Sequence, residues 1–427
     1  MELRPSLAAG PRRPGGLLWR RDFRWFWFGE TTSKIGSSMT VVAMPLVAVL
    51  VLNASTFTVG LLQASTWLPW LLFGLPAGAW IDRLAKRPVM LICDAASFVL
   101  FASVTPAAWM GLLTTAHLVI VALLAGVASV FFSTAYQPYL PSLLPQKDLP
   151  EANAKLQGSE SAAEVVGPGL GGLIAQLLGA AAGLLGDALT FAISAFCLTR
   201  VRSTEPPRAP QPEQRRSLRT EIGEGLRFII RDPYLRVMTL YAGAGNFSEA
   251  IMQAVLVVFL VRTVGLSPGV TGGLIAAMSL GGVIGAMLSP RIARRFGTAR
   301  GMLLCEVLTV PFVLLVPFTS PGRGLAFFLV GGVVPLTGII ASNIITASFR
   351  QTYVPAQLLG RTTATARLVS YGSVPLGALT GAILGEALGP RPTIWISAIA
   401  TTLSVCVLFI GPLRQRHDFP AAPATVA

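Results

Sequence analysis

Charge is what this sequence has least of. Asp, Glu, Lys and Arg together make up 12% of its 427 residues, roughly half the share usual in soluble proteins. Histidine occurs twice, at His117 and His417, and cysteine four times, at Cys93, Cys197, Cys305 and Cys406. Neither type shows the paired spacing of a metal site or the crowding of a disulfide framework. A G-x-x-x-x-G-K-[S/T] phosphate loop is missing, so ATP is not the evident energy source. No zinc, haem or catalytic-triad pattern stands out. Together these absences argue against an enzyme and against a resident metal or cofactor.

Apolar residues fill the space: 53% of the chain is hydrophobic, 43 residues are glycine, and the mean hydropathy is +0.66. Twelve apolar runs lie near 25–52, 58–80, 89–108, 116–137, 160–179, 183–200, 236–261, 269–289, 301–319, 324–347, 364–387 and 392–411. Each approaches the ~20 residues that cross a bilayer. Lipid leaves the backbone no partner but its own helix, and small residues let such helices pack closely. The expected fold is therefore an all-α membrane protein of twelve transmembrane helices. The break between the fifth and sixth rests on Gly179 to Gly183 alone.

A net charge of +14 raises the question of nucleic acid, and the placement of the charge answers it. If both termini are cytoplasmic, the outer loops hold only Arg262, Arg323 and Arg391. The other side collects Arg4 to Arg24, the Arg83–Arg87 hairpin, Arg202 to Arg231, Arg291, Arg294, Arg295, Arg300, Arg414 and Arg416. That is the positive-inside pattern. The basic clusters read as topology and contact with anionic lipid, in a cell (inner or plasma) membrane, with no nucleic-acid partner. No cleavable signal peptide is expected.

The chain also repeats itself. Arg21-Asp22 recurs as Arg231-Asp232, Met90 to Asp94 as Met302 to Glu306, the hairpin Arg83 to Arg87 as Arg291 to Arg295, and Gly167 and Gly171 as Gly377 and Gly381. Six spans in each half give both the same orientation, hence two parallel six-helix repeats about an axis along the membrane normal. The implied organisation is a cytoplasmic segment 1–24, a bundle 25–200, a linker 201–232, a second bundle 233–412 and a cytoplasmic tail 413–427. The linker opens with four prolines and then carries Leu218, Ile222, Leu226 and Ile229 on one stripe. It is expected as an amphipathic helix on the inner membrane surface.

Ionisable groups inside spans are the functional candidates, because each costs ~2.5–3.5 kcal/mol to place at a helix centre in lipid. The first span holds Glu30 and Lys34 at a spacing that lets them pair. Such a pair is either structural or opened by a proton or a cationic substrate. Glu160 and Glu164 open the fifth span, with Glu160 expected at the interface and Glu164 deeper. Asp187 lies in the sixth span near its outer end. Asn246, Glu249 and Gln253 occupy successive turns of the seventh, where they are expected to line a cavity. Asp94 and Glu306 follow basic hairpins and are expected to pair with the arginines of an inner gate, proton carriage being the alternative. Arg367, just inside the eleventh span, either snorkels to the interface or meets Asp82 across the halves.

The loop Gly78-Ala79-Trp80-Ile81-Asp82-Arg83-Leu84-Ala85-Lys86-Arg87 resembles the signature between the second and third helices of the major facilitator superfamily of transporters. The whole chain resembles that superfamily, most closely its drug-efflux branch of macrolide-efflux and enterobactin-exporter type. The Arg21-to-Trp25 entry, Ala152-Asn153-Ala154 and the stretch Gly167-Pro168-Gly169-Leu170-Gly171-Gly172 carry the resemblance further. The last is similar to the G-P-x-x-G-G motif of antiporters, in which Pro168 interrupts the helical ladder and Gly167, Gly171 and Gly172 admit a neighbour. A bend for rocking and tight packing both fit it. The resemblance implies that Gly78, Asp82, Arg83 and Arg87 form an inner gate in which Asp82 binds the start of the eleventh helix. The sequence departs from the family at Ala85, where a glycine is usual, at Ser37, where an acid often follows Gly36, and in having no arginine between His117 and Gln137.

These readings converge on a monomeric secondary transporter that exports a small amphipathic or hydrophobic compound, a drug or secondary metabolite, against protons by alternating access. A symporter or facilitator importing a nutrient is the alternative, disfavoured by apolar spans of Gly, Ala, Leu and Val. A non-transporting membrane scaffold is a third reading.

Overall fold

A computed structural model of the chain describes residues 16–74, 76–81, 83–202 and 218–420. All its regular structure is helical. The N-terminal half contains α1 (Arg21–Leu50), α2 (Thr56–Phe73), the short α3 (Pro76–Ile81), α4 (Lys86–Trp109), α5 (Thr115–Leu143), α6 (Leu149–Leu178) and α7 (Ala180–Arg200). The amphipathic α8 (Leu218–Arg231) precedes α9 (Pro233–Val258), α10 (Pro268–Phe296), α11 (Thr298–Thr309), α12 (Leu325–Tyr353), α13 (Ala356–Leu388) and α14 (Pro390–Ser404). A π-turn at Phe259–Thr263 extends α9, and 3-10 segments at Val310–Phe318 and Val405–Phe409 extend α11 and α14.

Among the described residues, eleven helices are long and apolar enough to cross a membrane. The expected second span is the exception by hydropathy: α2 carries Gln63, Ser65, Trp67 and Trp70, and its continuation into α3 passes through Leu75, outside the described residues. The break between α6 and α7 is sharp. Gly179 takes φ +90° and its repeat partner Gly389 takes φ +88°, a region where a side chain would be strained. The expectation that the chain turns there holds in both halves.

The linker helix corrects one expectation. α8 rests on protein as well as on any membrane surface, because Gly225 brings its backbone against α13, where an added Cβ would lie 2.8 Å from the Arg361 carbonyl oxygen. Arg361 donates to Glu224 beside this contact, and Ile229 is buried in the core beneath, while Leu226 stays exposed.

The two halves meet at the arginine-poor end. Arg262 donates to Asn53 at 2.9 Å, the Gly269 amide to Gln176 at 3.0 Å and the Phe57 amide to Glu386 at 3.0 Å. Below these caps the helices touch backbone to backbone. A Cβ on Gly172 would sit 2.8 Å from the Gly272 Cα, and one on Gly60 2.8 Å from the Ala382 Cα. Among the described residues, the side-chain hydrogen bonds that join the halves are at the arginine-poor end and none is at the arginine-rich one.

Candidate functional site

A cavity of about 500 Å³ occupies the interior of the C-terminal half, lined by α9 to α14 and the 3-10 segment after α11, within the size range of small-molecule sites. α9 supplies Tyr241, Asn246, Glu249 and Gln253 from one face, α11 supplies Glu306, α12 supplies Ser342, Asn343 and Arg350, and α13 supplies Arg367, Ser370 and Tyr371. Apolar lining comes from Met238, Met252, Met278, Met302 and Phe328. Gln253 donates to Glu249 at 2.8 Å, and Asn246 donates to the Ser370 carbonyl oxygen at 3.0 Å. Tyr241 and Ser342 both donate to Glu306, whose Oε1 has no partner. Asn246, Glu249 and Gln253, read from the sequence as cavity candidates, are among the residues that line it. Aliphatic side chains such as Leu256, Val313, Leu336 and Ile339 share the lining with these polar groups.

A second polar group lies in the N-terminal half. Lys34 does not pair with Glu30 as expected; its Nζ donates to Glu160 at 2.8 Å. Gly167 and Gly171 explain the exchange of partners. An added Cβ on Gly167 would lie 3.0 Å from the Ile35 carbonyl oxygen and one on Gly171 2.7 Å from that of Met39, so α6 rides against α1 and delivers Glu160 to Lys34. Glu30 is buried one turn below, and Glu164 stands within range of the lysine's charge. Pro168 and Gly172 of the same stretch turn to α10, where a Cβ on Gly272 would meet the Pro168 carbonyl oxygen at 2.4 Å. The glycine-proline stretch is thus a two-sided packing surface.

Other expected residues lie elsewhere. Asp187 faces no cavity. It is 1% exposed between α1 and α7, accepting from Thr40 at 2.5 Å and Thr190 at 3.2 Å. Asp94 does not reach the gate arginines. Seven residues beyond Arg87 place it about 10 Å up the helix, where it is buried, bonded to Ser194, with its Oδ2 unpartnered. Its repeat partner Glu306, by contrast, lines the cavity and has no ion pair with an arginine among the described residues. In the loop itself, Arg87 caps α7 through the carbonyl oxygens of Leu198 and Thr199 at 3.0 and 2.9 Å, and Lys86 caps the preceding turn through those of Ile81 and Leu84. Cations at helix ends meet the partial negative charge there. Arg83 is exposed, Gly78 has open space around it, and Asp82 lies outside the described residues. Arg367 lines the cavity, and among the described residues its side chain has no bonded partner.

Sequence reasoning missed Arg350 and Tyr241, and Glu160 as a partner. Arg350 sits in the last turn of α12, where it reads as one more positive-inside charge. Tyr241 offers a signal in hindsight: Thr31 and Asp94 occupy the repeat positions of Tyr241 and Glu306. Across the halves, Tyr371 packs on Trp67 and Trp70 with ring centroids 5.9 and 6.0 Å apart, so α2 closes the cavity's flank.

The profile of the transmembrane secretion effector family matches residues 17–425. Multidrug efflux pump Tap of Mycolicibacterium fortuitum is 29% identical over 402 residues, covering 91% of this chain and 95% of that protein. Enterobactin exporter EntS of Escherichia coli O9:H4 (strain HS) is 26% identical over 416 residues, covering 95% of each. Among solved structures, nucleoside transporter NupG superposes with a TM-score of 0.73 at 12% identity, covering 92% of this chain and 99% of that one. The match spans almost the whole chain, and the helical architecture agrees with it: this protein belongs to the transmembrane secretion effector family of the major facilitator superfamily, a family of multi-pass membrane transporters.

Proposed function

We propose that this chain is a proton-coupled exporter of a small amphipathic compound, working as a monomer in the plasma membrane with both termini in the cytoplasm. The observation that carries this reading is the position of the cavity: it holds ionisable side chains between helices of membrane-crossing length, in a molecule whose halves, among the described residues, are joined by side-chain hydrogen bonds at the arginine-poor end. With the arginine-rich side inward, that is the inward-facing state. The outer end then opens by parting α6 from α10 and α2 from α13, and Gly78, Asp82, Arg83 and Arg87 close the inner end in the opposite state.

Protonation changes the cost of burying a carboxylate and so biases one state over the other. Glu30 beside Lys34, Glu164, and the cavity acids Glu249 and Glu306 are the coupling groups in this reading. The names of Tap and EntS point to export. The cavity's Asn246, Gln253 and Asn343 favour one second reading, import of a polar nutrient.

The test is growth of cells with and without the protein on a panel of toxic amphipathic compounds, followed by efflux measurements with and without a protonophore. Resistance to at least one compound, lost with the protonophore, is expected. Glu30→Gln, Glu249→Gln and Glu306→Gln are tested in turn, and at least one is expected to abolish uphill export. Sensitisation by expression would favour import, and export indifferent to the protonophore would remove the proton.

A further inference from the structure

The charges of the cavity are not equally provided for. Its two carboxylates have neighbours: Glu249 accepts from Gln253, and Glu306 from Tyr241 and Ser342. Its two cations do not. Arg350 is half-buried and Arg367 exposed into the same space. Among the described residues neither side chain makes a hydrogen bond or an ion pair. Arg367 lies near enough for its positive charge to bear on Arg350. Two guanidiniums with no direct ion pair of their own in a low-dielectric cavity are costly, and a guanidinium's fork of donors matches a planar or tetrahedral oxyanion.

Their placement adds direction. Arg350 lies one turn before the end of α12, and Arg367 about three turns into α13. Both therefore stand toward the arginine-rich end. Met238 and Met302, near the same ends of their helices, and the Met252–Met278 region beyond them offer soft apolar walls that adapt to irregular shapes.

We infer that the cavity takes an amphipathic organic anion, its carboxylate, sulfonate or phosphate held between Arg350 and Arg367 and its apolar body laid along the methionines. This inference rests on the reading of the chain as a transporter and narrows its substrate class. If Arg367 meets Asp82 across the halves, one of the two places the sequence offers it, an anion between the arginines competes with that contact.

The experiment uses the purified full chain in a neutral detergent, with naphthalene-2-sulfonate and its uncharged counterpart 2-naphthalenemethanol as probes, bound by isothermal titration. Wild-type protein binds the sulfonate about tenfold tighter than the alcohol, and added salt erodes only that preference. Arg350→Gln and Arg367→Gln each remove most of the preference while leaving the alcohol's Kd within about twofold. Arg350→Lys and Arg367→Lys keep part of it. Equal affinities in the wild type, binding of neither probe, a salt-independent preference, or glutamine variants that weaken both probes alike would overturn the assignment. The wild-type salt series decides the matter even if a variant fails to fold. Binding is read without a gradient, so anion-selective binding in a protein that exports nothing under protons leaves this assignment standing and counts against the coupling.

Discussion

A buried carboxylate in a membrane helix invites one interpretation, and Asp187 shows how the neighbours decide it. Its two oxygens accept hydroxyls from Thr40 and Thr190. Gly36 leaves the space they need, since a Cβ there would lie 2.4 Å from Asp187 Oδ1. The group is a brace between α1 and α7. Asp187→Asn keeps an acceptor for one hydroxyl and is expected to cost under about 1.5 kcal/mol with export unchanged. Asp187→Ala strands a buried hydroxyl and costs about 1–3 kcal/mol, read as a lower Tm. An asparagine variant with wild-type Tm but no uphill export would return Asp187 to the coupling candidates. Lys34 gives the opposite lesson: spacing along α1 offered it Glu30, and packing offered it a better-placed Glu160.

At the scale of elements, glycine positions divide into those that carry contacts and those that do not. Gly172 on α6 and Gly272 on α10 approach so closely that any side chain must push the helices apart. Gly172→Leu is expected to destabilise the closed arginine-poor end by about 1–3 kcal/mol and to slow transport, without preventing insertion. Gly78 is the control. It belongs to the family's loop signature, yet nothing lies within 4 Å of where its Cβ would be. Gly78→Ala is expected to change stability by no more than about 0.5 kcal/mol. Thermal unfolding of the two variants side by side decides the point. Equal losses, or none at Gly172, would mean that the interface is less rigid than its geometry.

For the whole molecule, the distribution of contacts between halves predicts how it moves. Gln176 accepts from Ser267 at 3.2 Å and from the Gly269 amide at 3.0 Å at the closed end. If transport needs this end to open, a cysteine pair at Gln176 and Ser267, in a chain whose four native cysteines are replaced, stops turnover when oxidised and regains it on reduction. Transport continuing at full rate in the cross-linked protein would show that the seal stays shut throughout the cycle. The same pair, left reduced, reports by its reactivity how often the end opens.

Hydrophobic run length and charge asymmetry were enough to read an all-α membrane protein of many spans, because a bilayer imposes one backbone solution and the chain must advertise it in composition; the family was legible through the resemblance carried by the Gly78–Arg87 loop and the Gly167–Gly172 stretch. Even the turn at Gly179 was legible, since few residues other than glycine take that backbone angle. The partners of the charges were not. Asp94, Glu306, Lys34 and Arg367 were each assigned neighbours close in sequence or implied by resemblance, whereas in the structure their surroundings are set by helices far away in the chain. Helical period fixes which residues share a face; it says nothing of which helix that face meets, or how near. Here glycines of α6 drew Glu160 to Lys34, and the packing of α9 against α13 and of α11 against α12 gathered two arginines and two carboxylates around one cavity. Only the tertiary structure decided that arrangement, because it depends on close approach between helices that the order of residues along each one does not encode.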